Sequence, residues 1–315
     1  MRTRLYRWIR GRTNRAGRDS LTVFNFHGVV ADPLPVPDLG FMNRETFLAH
    51  LEAIRRLYQI VGLREGIEDI ARGDLRGPAA AVTFDDGLAN FYEVAYPILD
   101  DFGIPAVCFL VTGLVGTEET LWYCRVHKAI AETSRPSFLW RGALIDLSNS
   151  RRRAQASAFL QNALKRMPPR ELRAAVREIA RSLSVDPDAP ILPGSPYRVL
   201  SSSEICRMVD AGLVEFGSHT RTHPILSLLS PEEQREEIIE SAVALRKLTG
   251  RPADLFAYPN GRKEDYDAAS LAALRETGVR VAVTTARGRF RRNTPPLEIP
   301  RFWVGEETRA WEIAP

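Results

Sequence analysis

The chain has 315 residues, of which 44% are hydrophobic and 26% charged, and its formal net charge is +4. This composition is ordinary for a globular protein with ample core, so one large α/β domain is expected. The three cysteines are odd in number and widely spaced, which argues against a disulfide framework, and no stretch approaches the length of a membrane span.

The positive charge is concentrated in two segments. Residues 1–18 carry seven arginines and no acid, and residues 118–200 hold fourteen Lys/Arg against eight Asp/Glu, which leaves about −9 for the rest. A basic nucleic-acid groove on the core itself is therefore not expected. The N-terminus lacks the apolar core of a secretory signal, which predicts a cytoplasmic location. Residues 1–18 form either a loosely packed basic arm or a helix lying on an anionic membrane through Leu5, Trp8 and Ile9.

Along the chain, apolar β-branched runs alternate with amphipathic stretches. The predicted strands are residues 21–26, 79–84, 106–112, 214–217, 255–258, 279–285 and 299–304. The predicted helices between them are residues 43–58, 90–102, 201–212, 265–278 and a stretch from Ser230 to just before Gly250. This alternation implies a parallel sheet with crossover helices, and seven strands suit an incomplete or distorted barrel over residues 19–315.

Residues 118–200 break the alternation. Residues 150–167 and 170–183 are predicted to be basic helices separated by Pro168 and Pro169, and four further prolines mark an irregular return to the barrel. We expect a helical insertion. It either stabilises one side of the barrel or forms a lid or basic wall of a substrate groove, because barrel enzymes place their sites at the carboxyl ends of strands.

Two short motifs carry the residues suited to chemistry. Asp85 and Asp86 follow a buried strand, and His219 and His223 closely follow another. Two imidazoles and one carboxylate make a facial set of metal ligands, and the second carboxylate is then free to act as a base. The competing interpretations are a simple Asp-Gly turn and a packed pair of histidines.

The spacing of the histidines also makes a local prediction. At positions i and i+4, His219 and His223 are expected on one side of a helical turn. The hydroxyls of Ser218 and Thr220 are candidates to hydrogen-bond the imidazoles and fix their tautomers.

The order of three motifs resembles a known family. Residues 83–87 read TFDDG, residues 218–223 read SHTRTH and residues 256–261 read FAYPNG. In this order and spacing they resemble the polysaccharide deacetylases of the NodB-type carbohydrate esterases. The resemblance covers about residues 20–117 and 200–305 and implies a distorted (β/α)₇ barrel.

The resemblance also implies roles for the motif residues. Asp86, His219 and His223 would hold one divalent metal, and Asp85 would be the general base. Zinc is the expected metal, and Co²⁺, Mn²⁺, Ni²⁺ or Fe²⁺ would satisfy the same ligands.

The general acid is a departure from the common pattern. In much of the family it is a histidine in a C-terminal Leu-x-His motif, but no histidine follows His223 here. Circularly permuted members carry the equivalent histidine before the double-aspartate strand, and His27 fits that position. The alternative is a histidine that merely hydrogen-bonds a carbonyl.

The third motif departs too. Many members have arginine where Ala257 stands and tyrosine where Asn260 stands, and the family's arginine orients the base. Arg301, from the last predicted strand, is a candidate replacement, and a surface arginine is the alternative. The turn Tyr258-Pro259-Asn260 is the candidate oxyanion or substrate-binding element through the backbone N–H of Asn260, with Tyr258 better suited to packing.

Together these features predict a metal-dependent hydrolase that removes an N-acetyl group from an N-acetylated glycan or glycan precursor. The alternatives are an O-acetyl esterase, a deformylase or another amidase on a small or lipid-linked substrate, and a non-catalytic glycan-binding protein.

Overall fold

The computed structural model describes residues 19–75, 77–309 and 312–314, so the predicted basic arm of residues 1–18 lies outside the described residues. In chain order the strands are β1 (Leu21–Phe26), β2 (Gly28–Val30), β3 (Phe41–Asn43), β4 (Gln59–Ile60), β5 (Ala79–Phe84), β6 (Ala106–Leu110), β7 (Ser137–Trp140), β8 (Ala143–Asp146), β9 (Val214–Ser218), β10 (Leu255–Ala257), β11 (Val281–Val283) and β12 (Phe302–Trp303).

The α-helices are α1 (Arg44–Leu57), α2 (Leu63–Arg72), α3 (Tyr96–Asp101), α4 (Trp122–Glu132), α5 (Ser150–Leu164), α6 (Pro169–Ser182), α7 (Ser202–Ala211), α8 (Pro231–Thr249) and α9 (Ala268–Thr277). A π-helical turn, Phe91–Ala95, leads into α3, and single 3₁₀ turns occupy Thr112–Leu114, Leu226–Leu228 and Lys263–Asp265. Across the described residues, no helix is both long enough and apolar enough to cross a membrane.

Capping residues determine where two of the predicted helices begin and end. The side chains of Ser201 and Ser230 accept hydrogen bonds from backbone N–H groups three residues later, at the starts of α7 and α8. The same helices end at Gly212 and Gly250, whose φ angles of 79° and 65° lie in the left-handed region.

The main sheet is a parallel barrel-like layer. Its strand order is β11-β10-β9-β6-β5-β1-β12, and the short strand β4 also pairs with β5. All six residues of β1 and all six of β5 are buried, as expected for parallel strands covered on both faces. The predicted distorted (β/α)₇ barrel is confirmed.

The seam of the barrel lies between β11 and β12. Ile299 forms an isolated parallel bridge with Val283, and its N–H donates to the Ala282 carbonyl over 2.9 Å. Phe302 and Trp303 then pair with β1. The run predicted as one strand over residues 299–304 therefore joins β11 at its start and β1 at its end.

Alternate strand residues face two different cores. Leu21 and Val23 of β1 pack in the cluster that also contains Ala81 of β5, whereas Phe24 and Phe26 pack with side chains of α1. The inward cluster, which fills the barrel, also includes Val107, Phe109, Leu255, Ala257, Val281, Val283 and Ile299. The alternation of inward-facing and outward-facing side chains continues past the apolar positions of the strands. It therefore also determines which polar side chains point into the barrel.

The segment between β6 and β9 carries helices α4, α5 and α6, and its apolar side chains form a cluster of their own. Both helices predicted there are present. The antiparallel hairpin β7–β8 and helix α4 were not predicted, nor were β2, β3, β4 and α2. The strands among them are two to four residues long, too short for the apolar pattern alone to reveal them.

Candidate active site

Two barrel strands end in polar side chains that face inward. In β1 the inward series Leu21, Val23 continues as Asn25, and in β5 the series Ala79, Ala81 continues as Thr83 and then Asp85. These polar residues are all at least 96% buried. A buried polar layer therefore closes the carboxyl end of the barrel, which is where barrel enzymes place their sites.

Asp85 is held by the side chain of Arg301. Arg301 Nη1 lies 2.8 Å from Asp85 Oδ1, and Nη2 lies 2.7 Å from Oδ2, so the pair is bidentate. Arg301 is 2% exposed and also donates to Asn25 Oδ1 and to the Thr284 carbonyl. Asn25 Nδ2 in turn donates to Asp85 Oδ2 over 3.1 Å. The interpretation of Arg301 as a surface arginine is therefore wrong.

The protonation state of Asp85 follows from this contact. Burial raises the pKa of the carboxyl, but the charge of Arg301 and its hydrogen bonds outweigh burial and bring the pKa below its ordinary value. Asp85 is thus an ionised carboxylate inside the barrel. Oδ1 of Asp85 has two lone pairs. One accepts the hydrogen bond from Arg301, and the other does not face Arg301.

The side chain of Asp86 points toward the histidines and not into the barrel like that of Asp85, because the backbone turns at Asp86. Its φ of 75° and the φ of 66° at Gly87 are left-handed, a conformation that costs free energy at a residue other than glycine. A Cβ at Gly87 would lie 2.8 Å from Leu110 Cδ2, so the turn also requires glycine for space. The turn separates two adjacent carboxylates, one facing into the barrel and the other facing the histidines.

Asp86, His219 and His223 converge. Asp86 Oδ1 lies 3.5 Å from His219 Nε2 and 3.4 Å from His223 Nε2, and one ligand atom from each residue lies within 4.8 Å of the other two. His219 Nδ1 is 2.7 Å from the Ala257 carbonyl, which only accepts, so the proton sits on Nδ1 and the Nε2 lone pair faces the cluster. Burial lowers the pKa of His219 to about 4, which keeps it neutral.

The histidines lie on a loop, so the predicted helical turn is wrong. The loop follows β9, and Thr220 and His223 both have φ of 63°. Glu237 of α8 accepts hydrogen bonds from the backbone of Arg221 and Thr222 and holds the loop. The rings still meet, with centroids 4.8 Å apart, because the backbone turns back on itself.

Neither hydroxyl neighbour hydrogen-bonds an imidazole. Ser218 Oγ contacts Ser241 Oγ, and Thr220 Oγ1 accepts from the backbone N–H of His223. The tautomer of His219 is fixed by a carbonyl of β10 instead. The Thr220 hydroxyl holds the backbone of the loop through its hydrogen bond from the His223 N–H.

The donor set fits a divalent cation. Two buried acceptor atoms, His219 Nε2 and Asp86 Oδ1, face each other with no proton donor from His219 between them. A low-dielectric site makes such an arrangement unfavourable unless a cation or a proton compensates it. Two imidazoles and one carboxylate suit zinc and the neighbouring first-row metals.

His27 lies on the opposite side of Asp86. Its Nε2 is 4.0 Å from Asp86 Oδ2, and its side chain is 24% exposed. Its Nδ1 is buried and has no hydrogen-bond partner among the described residues. The imidazole therefore borders both solvent and the cluster of Asp86, His219 and His223.

Tyr123, which the sequence did not reveal, also reaches this cluster. It is the second residue of α4, and its hydroxyl donates to Asp86 Oδ2 over 2.5 Å. Burial, and next the charge of Asp86, raise the pKa of Tyr123 well above its ordinary value, so the phenol keeps its proton.

The third motif forms a turn beside the histidines. Asn260 has φ of 62°, its side chain donates to Asp265, and its carbonyl accepts from Thr285 Oγ1. The Asn260 N–H has no acceptor within residues 19–75, 77–309 and 312–314. Tyr258, in contrast, is 1% exposed, stacks on Tyr266 and donates to the Leu297 carbonyl. Its side chain packs in the core, as expected from the sequence.

Comparison with known proteins agrees with this geometry. A family model described as polysaccharide deacetylase matches residues 72–282. The chain belongs to the polysaccharide deacetylase family. The family predicted from the three motifs is therefore confirmed. The matched stretch contains Asp85, Asp86 and both histidines of the cluster, whereas His27 lies before it and Arg301 after it.

Solved structures share the fold. The deacetylase PplD of Streptococcus pyogenes is 19% identical with a TM-score of 0.61, over 93% of this chain and 96% of that one. IcaB from Ammonifex degensii is 20% identical with a TM-score of 0.57, over 91% and 92%. The deacetylase domain of BpsB from Bordetella bronchiseptica is 17% identical with a TM-score of 0.56, over 91% and 96%. Among curated proteins none matches the chain.

Proposed function

We propose that this protein is a metal-dependent deacetylase that removes the N-acetyl group from an N-acetylated sugar in a polysaccharide, an oligosaccharide or a glycan precursor. One observation carries the proposal. The buried Asp86–His219–His223 cluster lies beside a second buried carboxylate, Asp85, which Arg301 holds in place. The family of the chain supports deacetylation as the reaction.

Asp86, His219 and His223 would hold the metal, most simply Zn²⁺, with Co²⁺, Mn²⁺, Ni²⁺ and Fe²⁺ as alternatives. When bound, a divalent cation supplies Lewis-acid polarisation of the acyl carbonyl and lowers the pKa of water to about 7. The neutral state of His219 and the ionised state of Asp86 are the forms that bind metal.

Asp85 is the proposed general base. Arg301 keeps it ionised despite burial and fixes the direction of its oxygens, so that the free lone pair of Oδ1 accepts the proton of the attacking water. Because the pKa of Asp85 is low, this carboxylate is a weak base, and the reaction depends on a water whose own pKa is lowered.

The N–H of Asn260 is the proposed oxyanion donor. The left-handed backbone at Asn260 and the fixed φ of Pro259 hold this N–H in one direction. Such a preorganised donor stabilises the negative charge that develops on the carbonyl oxygen during attack.

His27 is the proposed general acid. Its Nε2 borders Asp86 and its ring is partly exposed, so a proton held at Nε2 can pass to the departing nitrogen. The carbon–nitrogen bond then breaks, and the products are acetate and a free amine.

The test compares the wild type with Asp85→Asn. Wild type loaded with zinc or cobalt is expected to bind one metal per chain and release acetate from N-acetylated chito-oligosaccharides. Asp85→Asn should keep the metal and lose about 100- to 10,000-fold in kcat, as removal of a general base does. The matched control is Asp74→Asn, an exposed carboxylate that pairs with Arg72, which should leave kcat unchanged.

The same assay distinguishes the alternatives. Release of formate would indicate a deformylase, and release of acetate only from O-acetylated sugars would indicate an esterase. Metal binding and glycan binding without turnover of any acylated substrate would indicate a glycan-binding protein. Failure of the wild type to bind zinc or cobalt after reconstitution would contradict the proposal.

A further inference from the structure

The insertion between β6 and β9 contributes one side chain to the carboxylate–histidine cluster. Tyr123, at the start of α4, donates its hydroxyl to Asp86 Oδ2. Its ring lies 6.0 Å from the ring of His223 and packs edge-on against Trp122, with centroids 5.7 Å apart and planes at 89°. The phenol therefore has a fixed direction, since neighbours constrain the ring on more than one side.

The two oxygens of Asp86 have different surroundings. Oδ1 faces the Nε2 atoms of His219 and His223, at 3.5 and 3.4 Å. Oδ2 receives the Tyr123 hydroxyl and faces His27 Nε2 at 4.0 Å. Within the described residues, no other hydroxyl or amide side chain donates to this carboxylate. The orientation of the carboxylate about its own axis thus depends on Tyr123.

The start of α4 is attached to the turn that bears Asp86. Leu121, Cys124 and the ring of Tyr123 pack in one cluster with Leu88, two residues after Asp86. The return of the insertion pairs with the same turn, since the Leu200 N–H donates to the Gly87 carbonyl over 2.9 Å and the Ala89 N–H donates to the Arg198 carbonyl over 2.7 Å. The start of α4, which carries the Tyr123 phenol, and the turn that carries the Asp86 carboxylate therefore pack together as one part of the structure.

We propose that Tyr123 is a positioning residue of the metal centre: its hydroxyl holds Oδ2 of Asp86 and so keeps Oδ1 directed at the Nε2 atoms of the two histidines, with which it would hold the metal. This inference rests on the proposed function, because it concerns the affinity of the same site. Hydrogen bonds from outside the ligand set commonly orient metal ligands, and losing one typically weakens metal binding about 10- to 100-fold. The insertion is then a part of the site.

The test is Tyr123→Phe, which removes the hydroxyl and keeps the ring. Zinc affinity is measured by competition with a chromophoric chelator, and the geometry of the ligands is measured by the visible absorption of the Co²⁺ form. Zinc binding should weaken about 10- to 100-fold and the Co²⁺ spectrum should shift. Excess metal should restore most of kcat, with KM for the glycan unchanged, since the phenol acts on the ligand.

The matched control is Tyr197→Phe. Tyr197 also lies within residues 118–200 and its hydroxyl also bonds a buried side chain, Nδ1 of His127, over 2.7 Å. This variant should keep wild-type zinc affinity and Co²⁺ spectrum. Thermal unfolding in excess chelator compares the folds of both variants without metal.

Three outcomes of these measurements would contradict the inference about Tyr123. Wild-type zinc affinity in Tyr123→Phe would overturn the inference and leave the proposed function standing. A Tyr123→Phe protein that does not fold in chelator would assign the hydroxyl to folding and would also overturn it. A wild type that binds no zinc or cobalt would remove the proposed function and this inference together.

Discussion

Arg301 donates one hydrogen bond to each oxygen of Asp85, although 216 residues separate the two in the chain. Both are nearly inaccessible to solvent, so each charge depends on the other for compensation. Removing one partner of a buried pair typically costs about 3–5 kcal/mol because it leaves an uncompensated charge. Arg301→Met is therefore expected to lower the free energy of unfolding by about that amount in denaturant titration.

A double variant separates the charge from the packing. Arg301→Met with Asp85→Asn should be more stable than Arg301→Met alone, because the second change removes the unpaired carboxylate. Arg280→Met is the control. Arg280 also pairs with a buried aspartate, Asp254, but its side chain is 73% exposed, so a loss of about 0–1 kcal/mol is expected. An Arg301→Met loss no larger than the Arg280→Met loss would contradict the prediction.

The sequence revealed the parts of the site that follow strand ends. Asp85, Asp86, His219 and His223 were predicted together because both motifs follow strands and because their residue types and order resemble those of the deacetylase family. The two-residue period of the strands also puts Arg301 on the inner face. The same period applied to β1 would have found Asn25 as well.

Other parts had no local signal. The spacing of the histidines fits a helix, but the left-handed backbone at Thr220 and His223 makes a loop instead, and neither residue is a type that marks such a turn as glycine does. Tyr123 reaches Asp86 only because the insertion folds back onto the barrel rim. Contacts across elements of this kind depend on tertiary packing, which no periodicity records.

His27 gives a prediction that depends on the leaving group. His27→Gln should lower kcat about 100- to 10,000-fold on N-acetylated sugars, since an amine leaves only with a proton. With 4-nitrophenyl acetate, whose phenolate leaves without one, the loss should be much smaller. Steady-state kinetics on both substrates measure the difference.

The control for this variant is His50→Gln. His50 is a buried histidine, and its Nε2 contacts the Gly305 carbonyl far along the chain, so glutamine retains a donor there. Its kcat should equal that of the wild type on both substrates. Equal losses of His27→Gln on the two substrates would contradict the acid role and indicate a general effect on the site.

An ion cluster just before β10 predicts the acid stability of the fold. Asp254 accepts hydrogen bonds from Arg64 and from Arg280. Burial raises its pKa, but the two arginines outweigh burial and lower the pKa below its ordinary value of 3.8. The cluster therefore stabilises the folded state in full above the unfolded pKa of about 3.9, and the contribution is lost as pH falls through the folded pKa.

Asp254→Asn should thus cost about 1.5–3 kcal/mol at neutral pH, the size of hydrogen bonds to a charged group. The difference from the wild type should stay constant above about pH 5 and shrink below about pH 4. Denaturant titrations at a series of pH values measure it, with Asp74→Asn as the exposed control. A difference that grows on acidification would contradict the assigned sign.

Metal should stabilise the fold through Asp86, His219 and His223. A ligand that binds only the folded state at 100 times its Kd adds about 2.7 kcal/mol to the free energy of unfolding. Zinc added to the chelated wild type should raise the midpoint of thermal unfolding accordingly. Asp86→Asn should lose this increment, because it replaces the one anionic ligand of the set.

His127→Gln is the control for that experiment. His127 is 1% exposed and bonds Tyr197 within the insertion, and it is not one of the three proposed ligands, so the zinc increment of this variant should equal that of the wild type. Without metal, Asp86→Asn should be at least as stable as the wild type, since a neutral amide replaces a buried charge held in a left-handed turn. An equal zinc increment in Asp86→Asn and wild type would place the metal elsewhere and exclude this cluster as its site.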